Sequence, residues 1–289
     1  MKTIKDVFEN YRLNLVKMYD VNEVNAITSL TINNVCELST AKIKAFPEFE
    51  ISAGQSLKLK NILLELKTGK PIQYILGNTE FYGLPFNVNP SVLIPRPETE
   101  ELVEWVINSV SSKQWTAGSM LDIGTGSGCI AISLKKNLPG FTVSAIDISI
   151  SALKTAVSNA ELNTVDVEFV EADILNFKPE TKAPKFEIII SNPPYVTLHD
   201  KAQMHSNVTD FEPHSALFVP ENDPLIFYKA IADYAFTRLT SGGLLFLEIN
   251  ESYGSQTVEL LRVKGFNNIE LRKDMSGRDR MIKCELIPR

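Results

Sequence analysis

The sequence predicts an α/β protein with a doubly wound, seven-stranded mixed sheet, preceded by a small N-terminal helical bundle and a β-hairpin linker. Three observations carry this expectation. From about Ser119 onward, strand-like and helix-like segments alternate, a pattern that gives a parallel sheet covered by helices. The first of these strands runs into a glycine-rich turn, Gly124 to Gly128. The fourth, Phe186 to Ser191, runs into an Asn-Pro-Pro-Tyr box formed by Asn192, Pro193, Pro194 and Tyr195.

Residues 1–77 read as helical. Ile4, Val7, Phe8, Tyr11, Leu15 and Met18 recur at helical spacing with charges between them, which suits an amphipathic helix and not a secretion signal. A second helix is expected from Val21 to about Leu38. Thr40 to Ser52, with Pro47, looks irregular. A third helix runs from about Gln55 through Leu59, Ile62, Leu63 and Leu66, and stops at Gly69 before Pro71. Residues 78–93 read as a hairpin linker, with short strands at Glu80 to Tyr82 and Phe86 to Val88 around Gly83, Leu84 and Pro85.

The sheet domain is expected over residues 94–289. Pro97 followed by Glu98, Glu100 and Glu101 is a helix start, because proline suits the first helical position and carboxylates suit its positive end. Strands follow at Met120 to Ile123, Thr142 to Ile146, Val167 to Val170, Phe186 to Ser191 and Leu244 to Ile249. Helices lie between them, at Cys129 to Lys136, Ser151 to Leu162 and Pro224 to Leu239, with a further one at Ser252 to Lys264. Asn268 to Arg272 and Arg280 to Leu286 have no helix between them, so they pair antiparallel and make the sheet mixed.

The composition is that of an ordinary soluble globular chain: 289 residues, 44% hydrophobic and 22% charged. A formal net charge of -6 argues against a basic grip on nucleic acid as the main source of affinity. No apolar run approaches the ~20 residues that a membrane span needs. The three cysteines, Cys36, Cys129 and Cys284, are scattered, so neither a disulfide framework nor a zinc site is expected, and no metal is.

Glycines in the Gly124-Thr125-Gly126-Ser127-Gly128 turn let the backbone bend sharply and approach a ligand. A dinucleotide fingerprint would need a small residue five places after Gly124, where Cys129 stands. The spacing Gly-x-Gly-x-Gly suits S-adenosylmethionine better. Asp147, ending the next strand, can accept from both ribose hydroxyls. Asp173 follows the third strand, where it can meet an adenine amine, and Ile174 can pack on the ring. Pro193 pushes Asn192 into an extended conformation, and neither proline carries a backbone N–H. The result is a rigid acceptor edge, the Asn192 amide oxygen and the Pro193 carbonyl, suited to a planar –NH₂ group. In a doubly wound sheet the crevice lies between the first and fourth strands, so loop and box are expected to face each other across it.

With these motifs in place, the chain resembles the PrmC/HemK family, the methyltransferases that modify the glutamine of the Gly-Gly-Gln motif in class I peptide chain release factors. The likeness covers nearly the whole chain. It includes Gln73-Tyr74-Ile75-Leu76-Gly77, Ile94-Pro95-Arg96-Pro97-Glu98-Thr99-Glu100, the Gly124 to Gly128 loop, Ser191 to Tyr195, Phe211-Glu212-Pro213 and Leu247-Glu248-Ile249. The resemblance implies a class I S-adenosylmethionine-dependent methyltransferase, cytoplasmic and expected to be a monomer, whose N-terminal helical domain docks the release factor. It implies S-adenosyl-L-methionine as cofactor, leaving S-adenosyl-L-homocysteine. The expected cofactor contacts are Gly124, Thr125, Gly126, Ser127, Gly128, Asp147, Ile148, Asp173, Ile174 and Asn192. The expected catalytic residues are Asn192, Pro193 and Tyr195, with Asn192 to Tyr195 holding the glutamine. Two positions depart from the family pattern, Asn250 and Pro224, where glycine is common. Arg96, Glu98 and Glu248 border the expected site without a role that sequence can assign. Adenine-N6 methylation of nucleic acid uses the same clamp on a flipped base and is the rival reading. A non-enzymatic binding module for a translation factor is a second rival, opposed by the intact loop and box.

Overall fold

The computed structural model describes residues 1–177, 184–202 and 204–287. In chain order the helices and strands are α1 (Ile4–Leu15), α2 (Val21–Cys36), α3 (Thr40–Ala45), α4 (Ala53–Leu66), α5 (Ile72–Leu76), β1 (Asn78–Phe81), β2 (Leu84–Asn87), α6 (Pro97–Ser112), β3 (Gly118–Ile123), α7 (Cys129–Asn137), β4 (Phe141–Asp147), α8 (Ile150–Asn163) and β5 (Glu168–Glu171). They continue with β6 (Phe186–Ser191), α9 (Leu198–Lys201), α10 (Ser206–Phe211), α11 (Ile226–Arg238), β7 (Leu239–Glu248), α12 (Gly254–Lys264), β8 (Asn267–Lys273) and β9 (Asp279–Glu285). Two compact units result: Met1–Gly77 with His205–Phe211, and Asn78–Met204 with Glu212–Arg289.

The first unit is a helical bundle around Ile4, Val7, Tyr11, Leu15, Leu59 and Leu63. The Tyr11 hydroxyl donates to the Leu59 carbonyl at 2.8 Å, so its one polar atom is satisfied inside the core. One local expectation needs correction. Thr40 to Ser52 is not wholly irregular. The Ser39 hydroxyl accepts from the Lys42 N–H and Ile43 is buried, which is enough to hold the short helix α3. After Pro71 the chain turns helical again as α5, with Pro71 at its start, a position where a missing N–H costs nothing.

In the second unit the hairpin is tighter than the sequence suggests. Tyr82 and Gly83 alone form the turn, with φ of +49° and +71°. Turns with two positive φ values match the twist of the flanking strands. Leu84 and Pro85 therefore belong to β2, with Pro85 opposite Glu80. The Tyr82 N–H donates to Glu100 Oε1 at 2.8 Å, which ties the turn to α6.

The large sheet has the order β5-β4-β3-β6-β7-β9-β8, parallel except for β9, which runs antiparallel to both neighbours. Successive side chains of a strand point to opposite faces. Ile188 and Ile190 accordingly join the core formed with Leu102, Val106 and Ile130, while Ile189 joins that of Tyr228, Ile231 and Leu261. Helices cover both faces, which explains an apolar run without alternation. Truncating one of these isoleucines to alanine costs about 2–5 kcal/mol. Among the described residues no helix is long and apolar enough to cross a membrane.

Candidate active site

The β3 and β6 tips are adjacent. Ile123 lies opposite Ser191 in the parallel register, and the Ser191 hydroxyl donates to the Ile123 carbonyl at 2.6 Å. The next residue along each strand is Gly124 and Asn192, so the glycine turn and the Asn-Pro-Pro-Tyr box leave the sheet side by side. The Gly124 and Thr125 N–H groups both donate to the Ile146 carbonyl, at 2.9 and 3.0 Å, folding the turn back over β4.

The glycines divide into two roles. Gly124 and Gly126 have φ of +74° and +55°, and a Cβ added to either would meet nothing within 4 Å. Gly128 has φ of +82°, but its added Cβ would fall 2.8 Å from Ile132 Cδ1 and 3.2 Å from Ala156 Cβ. The third glycine thus permits packing of α7 against α8, and it does not line the cleft. Beneath the turn, Asp122 is 1% exposed and accepts from the Thr125 hydroxyl at 2.6 Å. Burial pushes its carboxyl up to about 7, against the pull of the Thr125 hydrogen bond.

A cleft of about 400 Å³ opens above these tips. Gly124, Thr125, Gly126, Ser127, Asp147, Ile148, Asp173, Ile174, Asn192, Pro193 and Pro194 all line it. Asp147 accepts from the Gly126 N–H at Oδ2 and from the Ser149 N–H at Oδ1, both at 2.8 Å. These bonds fix the carboxylate while leaving lone pairs on each oxygen. Ile148 is 60% exposed in the cleft wall, an apolar surface available to a flat ring. Asp173 accepts from the Leu175 N–H at 2.9 Å and the Asn176 amide at 2.6 Å, and so also caps the turn that carries Ile174. The open glycine backbone, the anchored carboxylates, the exposed Ile148 and the half-buried Ile174 fit a nucleoside-bearing cofactor.

Asn192 is held from behind. Its Nδ2 donates to Thr99 Oγ1 at 3.1 Å, and the Thr99 hydroxyl donates to Glu248 Oε2 at 2.7 Å. The other carboxylate oxygen, Oε1, accepts from the Tyr195 hydroxyl at 3.0 Å. Glu248 is 1% exposed. Burial raises its pKa, opposed by these two hydrogen bonds and by the charge of Arg280. The Tyr195 phenol is pushed well above its ordinary value by burial and by Glu248. Arg280 is itself anchored on the buried Asp274 at 3.2 Å.

A second cavity, also about 400 Å³, is lined by Tyr195, Asn250, Arg278 and Arg280, and shares Asn192, Pro193 and Arg96 with the first. The Asn192-Pro193 edge therefore borders both. Arg96 pairs with Glu212 at 2.5 Å, and Glu212 also accepts from the Ile94 N–H at 3.2 Å. Asn250 does not need a glycine's conformation, with φ of -68°. Its amide donates to the Tyr195 carbonyl at 3.0 Å and to Asp200 at 2.9 Å, bracing the box. Sequence reasoning missed Thr99 and Ser191 as supports. Their only signal was membership of the two quoted motifs.

Sheet order, strand-tip geometry and cleft define a class I methyltransferase of the S-adenosylmethionine-dependent kind. Residues 103–211 match the family described as Methyltransferase small domain. A methyltransferase from Pyrococcus furiosus shares the fold, with a TM-score of 0.51 at 16% identity over 82% of this chain and 100% of that one. The release factor glutamine methyltransferase of Flavobacterium psychrophilum is 47% identical over 96% of this chain and 98% of its own. That of Bacteroides thetaiotaomicron is 41% identical over 94% of this chain and 96% of its own. The chain belongs to the release factor glutamine methyltransferase family.

Proposed function

We propose that this enzyme transfers a methyl group from S-adenosylmethionine to the side-chain amide nitrogen (N5) of the glutamine in the Gly-Gly-Gln motif of class I peptide chain release factors. One observation carries the reading: the glycine turn and the Asn-Pro-Pro-Tyr box sit on hydrogen-bonded neighbouring strand tips, and Asn192 and Pro193 border both cavities.

S-adenosylmethionine, when bound, supplies an electrophilic methyl group on sulfonium sulfur. Asp147 takes the ribose hydroxyls. Asp173, Ile148 and Ile174 take the adenine. The backbone from Gly124 to Ser127 allows close approach, and Gly128 keeps α7 packed behind it. On the other side of the edge, Asn192 Oδ1 and the Pro193 carbonyl accept the two hydrogens of the glutamine –NH₂. An amide nitrogen is a poor nucleophile because its lone pair is delocalised over the carbonyl. Two accepted hydrogen bonds return electron density to it and fix its direction. Orientation of this kind contributes on the order of 7–11 kcal/mol at most. Tyr195 packs beside the acceptor, and Pro194 keeps the box rigid. No general base is required before the methyl moves, because the sulfonium carries a good leaving group. S-adenosylhomocysteine would leave as the neutral thioether, and the methylated nitrogen would give its extra proton to water.

Residues 1–77 serve as the docking domain, residues 78–93 as the linker and residues 94–289 as the catalytic domain. We place the enzyme in the cytoplasm with its translation-factor substrate, acting as a monomer and without direct nucleic-acid binding. Free cysteines at Cys36, Cys129 and Cys284 suit a reducing compartment.

The test is incubation with methyl-labelled S-adenosylmethionine and a class I release factor, followed by mass spectrometry of the Gly-Gly-Gln peptide. A single methyl on the glutamine side chain is expected. Label on nucleic acid and none on release factor would reverse the assignment. Removal of residues 1–77 should impair methylation of folded release factor more than binding of free cofactor, and equal loss of both would refute a docking role.

A further inference from the structure

We infer that Thr99 and Glu248 are positioning residues that set which end of the Asn192 amide faces the substrate; this rests on the function proposed above. An amide side chain has a donor end and an acceptor end of nearly equal shape, and only the partners decide between them. Glutamine methylation needs the acceptor end presented, because the substrate –NH₂ offers only hydrogens. A reversed Asn192 would set –NH₂ against –NH₂.

The polarity is imposed from the buried end of the chain. Glu248, when ionised, can only accept, and its two oxygens take one hydroxyl each, from Tyr195 and Thr99. The single Thr99 hydrogen is thereby committed to Glu248, leaving Thr99 Oγ1 only lone pairs for Asn192 at 3.1 Å. Asn192 must then turn Nδ2 inward and Oδ1 outward. Arg280, held by the buried Asp274 at 3.2 Å, supplies positive charge that favours the ionised carboxylate against the burial that raises its pKa. Thr99 lies at the third position of α6, Glu248 at the end of β7 and Asn192 after β6, so three separate elements cooperate to orient one amide. Glu248 lines neither cavity, so its substitution releases the constraint from outside both, whereas Thr99 also lines the first.

The test compares Thr99→Val, Thr99→Ser, Glu248→Gln and the double variant Thr99→Val/Glu248→Gln. It measures the single-turnover methylation rate on release factor, the substrate KM, the S-adenosylmethionine Kd and the thermal unfolding midpoint. Valine matches threonine in shape and lacks the hydroxyl. We expect Thr99→Val to slow turnover on the order of tenfold to a hundredfold, by analogy with loss of a hydrogen bond that orients a metal-ligating side chain. Cofactor Kd should change less than the rate does, because the hydroxyl hydrogen that is lost is the one donated to Glu248. Thr99→Ser should restore the rate. Glu248→Gln should slow turnover likewise, because glutamine can donate to Thr99 and so reverse the chain. The double variant should be no slower than the slower single, since both act through Asn192. If Thr99→Val folds and turns over at the wild-type rate, the proposal is wrong. Loss of rate that follows loss of cofactor binding, or that Thr99→Ser fails to rescue, also overturns it in favour of a purely structural role. Wild-type enzyme runs in parallel. Its failure to methylate release factor would reject the proposed function itself, a result distinct from an indifferent Thr99.

Discussion

Asn192 Nδ2 lies 3.1 Å from Thr99 Oγ1, a bond between residues 93 positions apart that joins the strand tip bearing the box to the first turn of α6. It places the donor end of the amide in the protein, which in the proposed function leaves the acceptor end for the substrate. The box is thus oriented by a helix as well as by its prolines.

In the proposed clamp, replacing Asn192 with alanine removes one of the two acceptors for the glutamine –NH₂. Turnover should fall roughly a hundredfold or more, by comparison with removal of one positioned polar group at a reacting centre. Single-turnover methylation of release factor measures it, and an unchanged rate would take Asn192 out of the clamp.

Asp147→Ala should weaken S-adenosylmethionine binding by about tenfold or more, since hydrogen bonds to a charged group contribute roughly 1.5–3 kcal/mol each. The fold should survive, because the Gly126 and Ser149 N–H groups that lose their partner lie in a part-buried turn open to water. Calorimetry checks the affinity, and equal affinity would contradict the ribose assignment.

Alanine at Gly124 and at Gly128 should have opposite signatures. Both have positive φ, a strain of about 1–2 kcal/mol for a residue with a Cβ. At Gly128 the methyl also collides with Ile132, so a fall of several degrees in the unfolding midpoint is expected. At Gly124 it enters the open space beside the cleft, so stability should fall less while cofactor affinity collapses. Paired calorimetry and thermal unfolding separate the two, and matching profiles would refute the division of roles.

Asp122 should make stability depend on pH. Its pKa is raised from 3.8 to about 7, so its contribution is complete below about 4 and is lost as pH rises through about 7. The loss amounts to at most roughly 4 kcal/mol at about 1.4 kcal/mol per pH unit. Asp122→Asn should remove this slope, whatever it costs at low pH. Chemical denaturation from pH 4 to 8 compares the two proteins, and identical slopes would show that Asp122 does not titrate in this window.

Strand and helix succession, the mixed sheet, the glycine turn and the Asn-Pro-Pro-Tyr box were legible in the sequence because each depends on neighbours in the chain. Ile188, Ile189 and Ile190 announce a strand covered on both faces, and Pro193 restricts Asn192 directly. The helix α3 was not legible. One buried residue, Ile43, and one cap, Ser39, decide it, and neither makes a periodic pattern. The hairpin was placed correctly but drawn too loose, because a tyrosine at positive φ gives no signal and Tyr82 is secured by Glu100 from outside the turn.

By itself, then, the sequence determined which chemical groups stand at the ends of which strands, because periodicity and backbone restriction act over a few residues. Only the tertiary structure decided that Gly128 packs a helix, that Ser191 ties the two tips together, and that Thr99 and Glu248 stand behind Asn192. Thr99 and Glu248 are 149 positions apart, and their hydrogen bond exists because folding buries a carboxylate that must find donors or lose its charge.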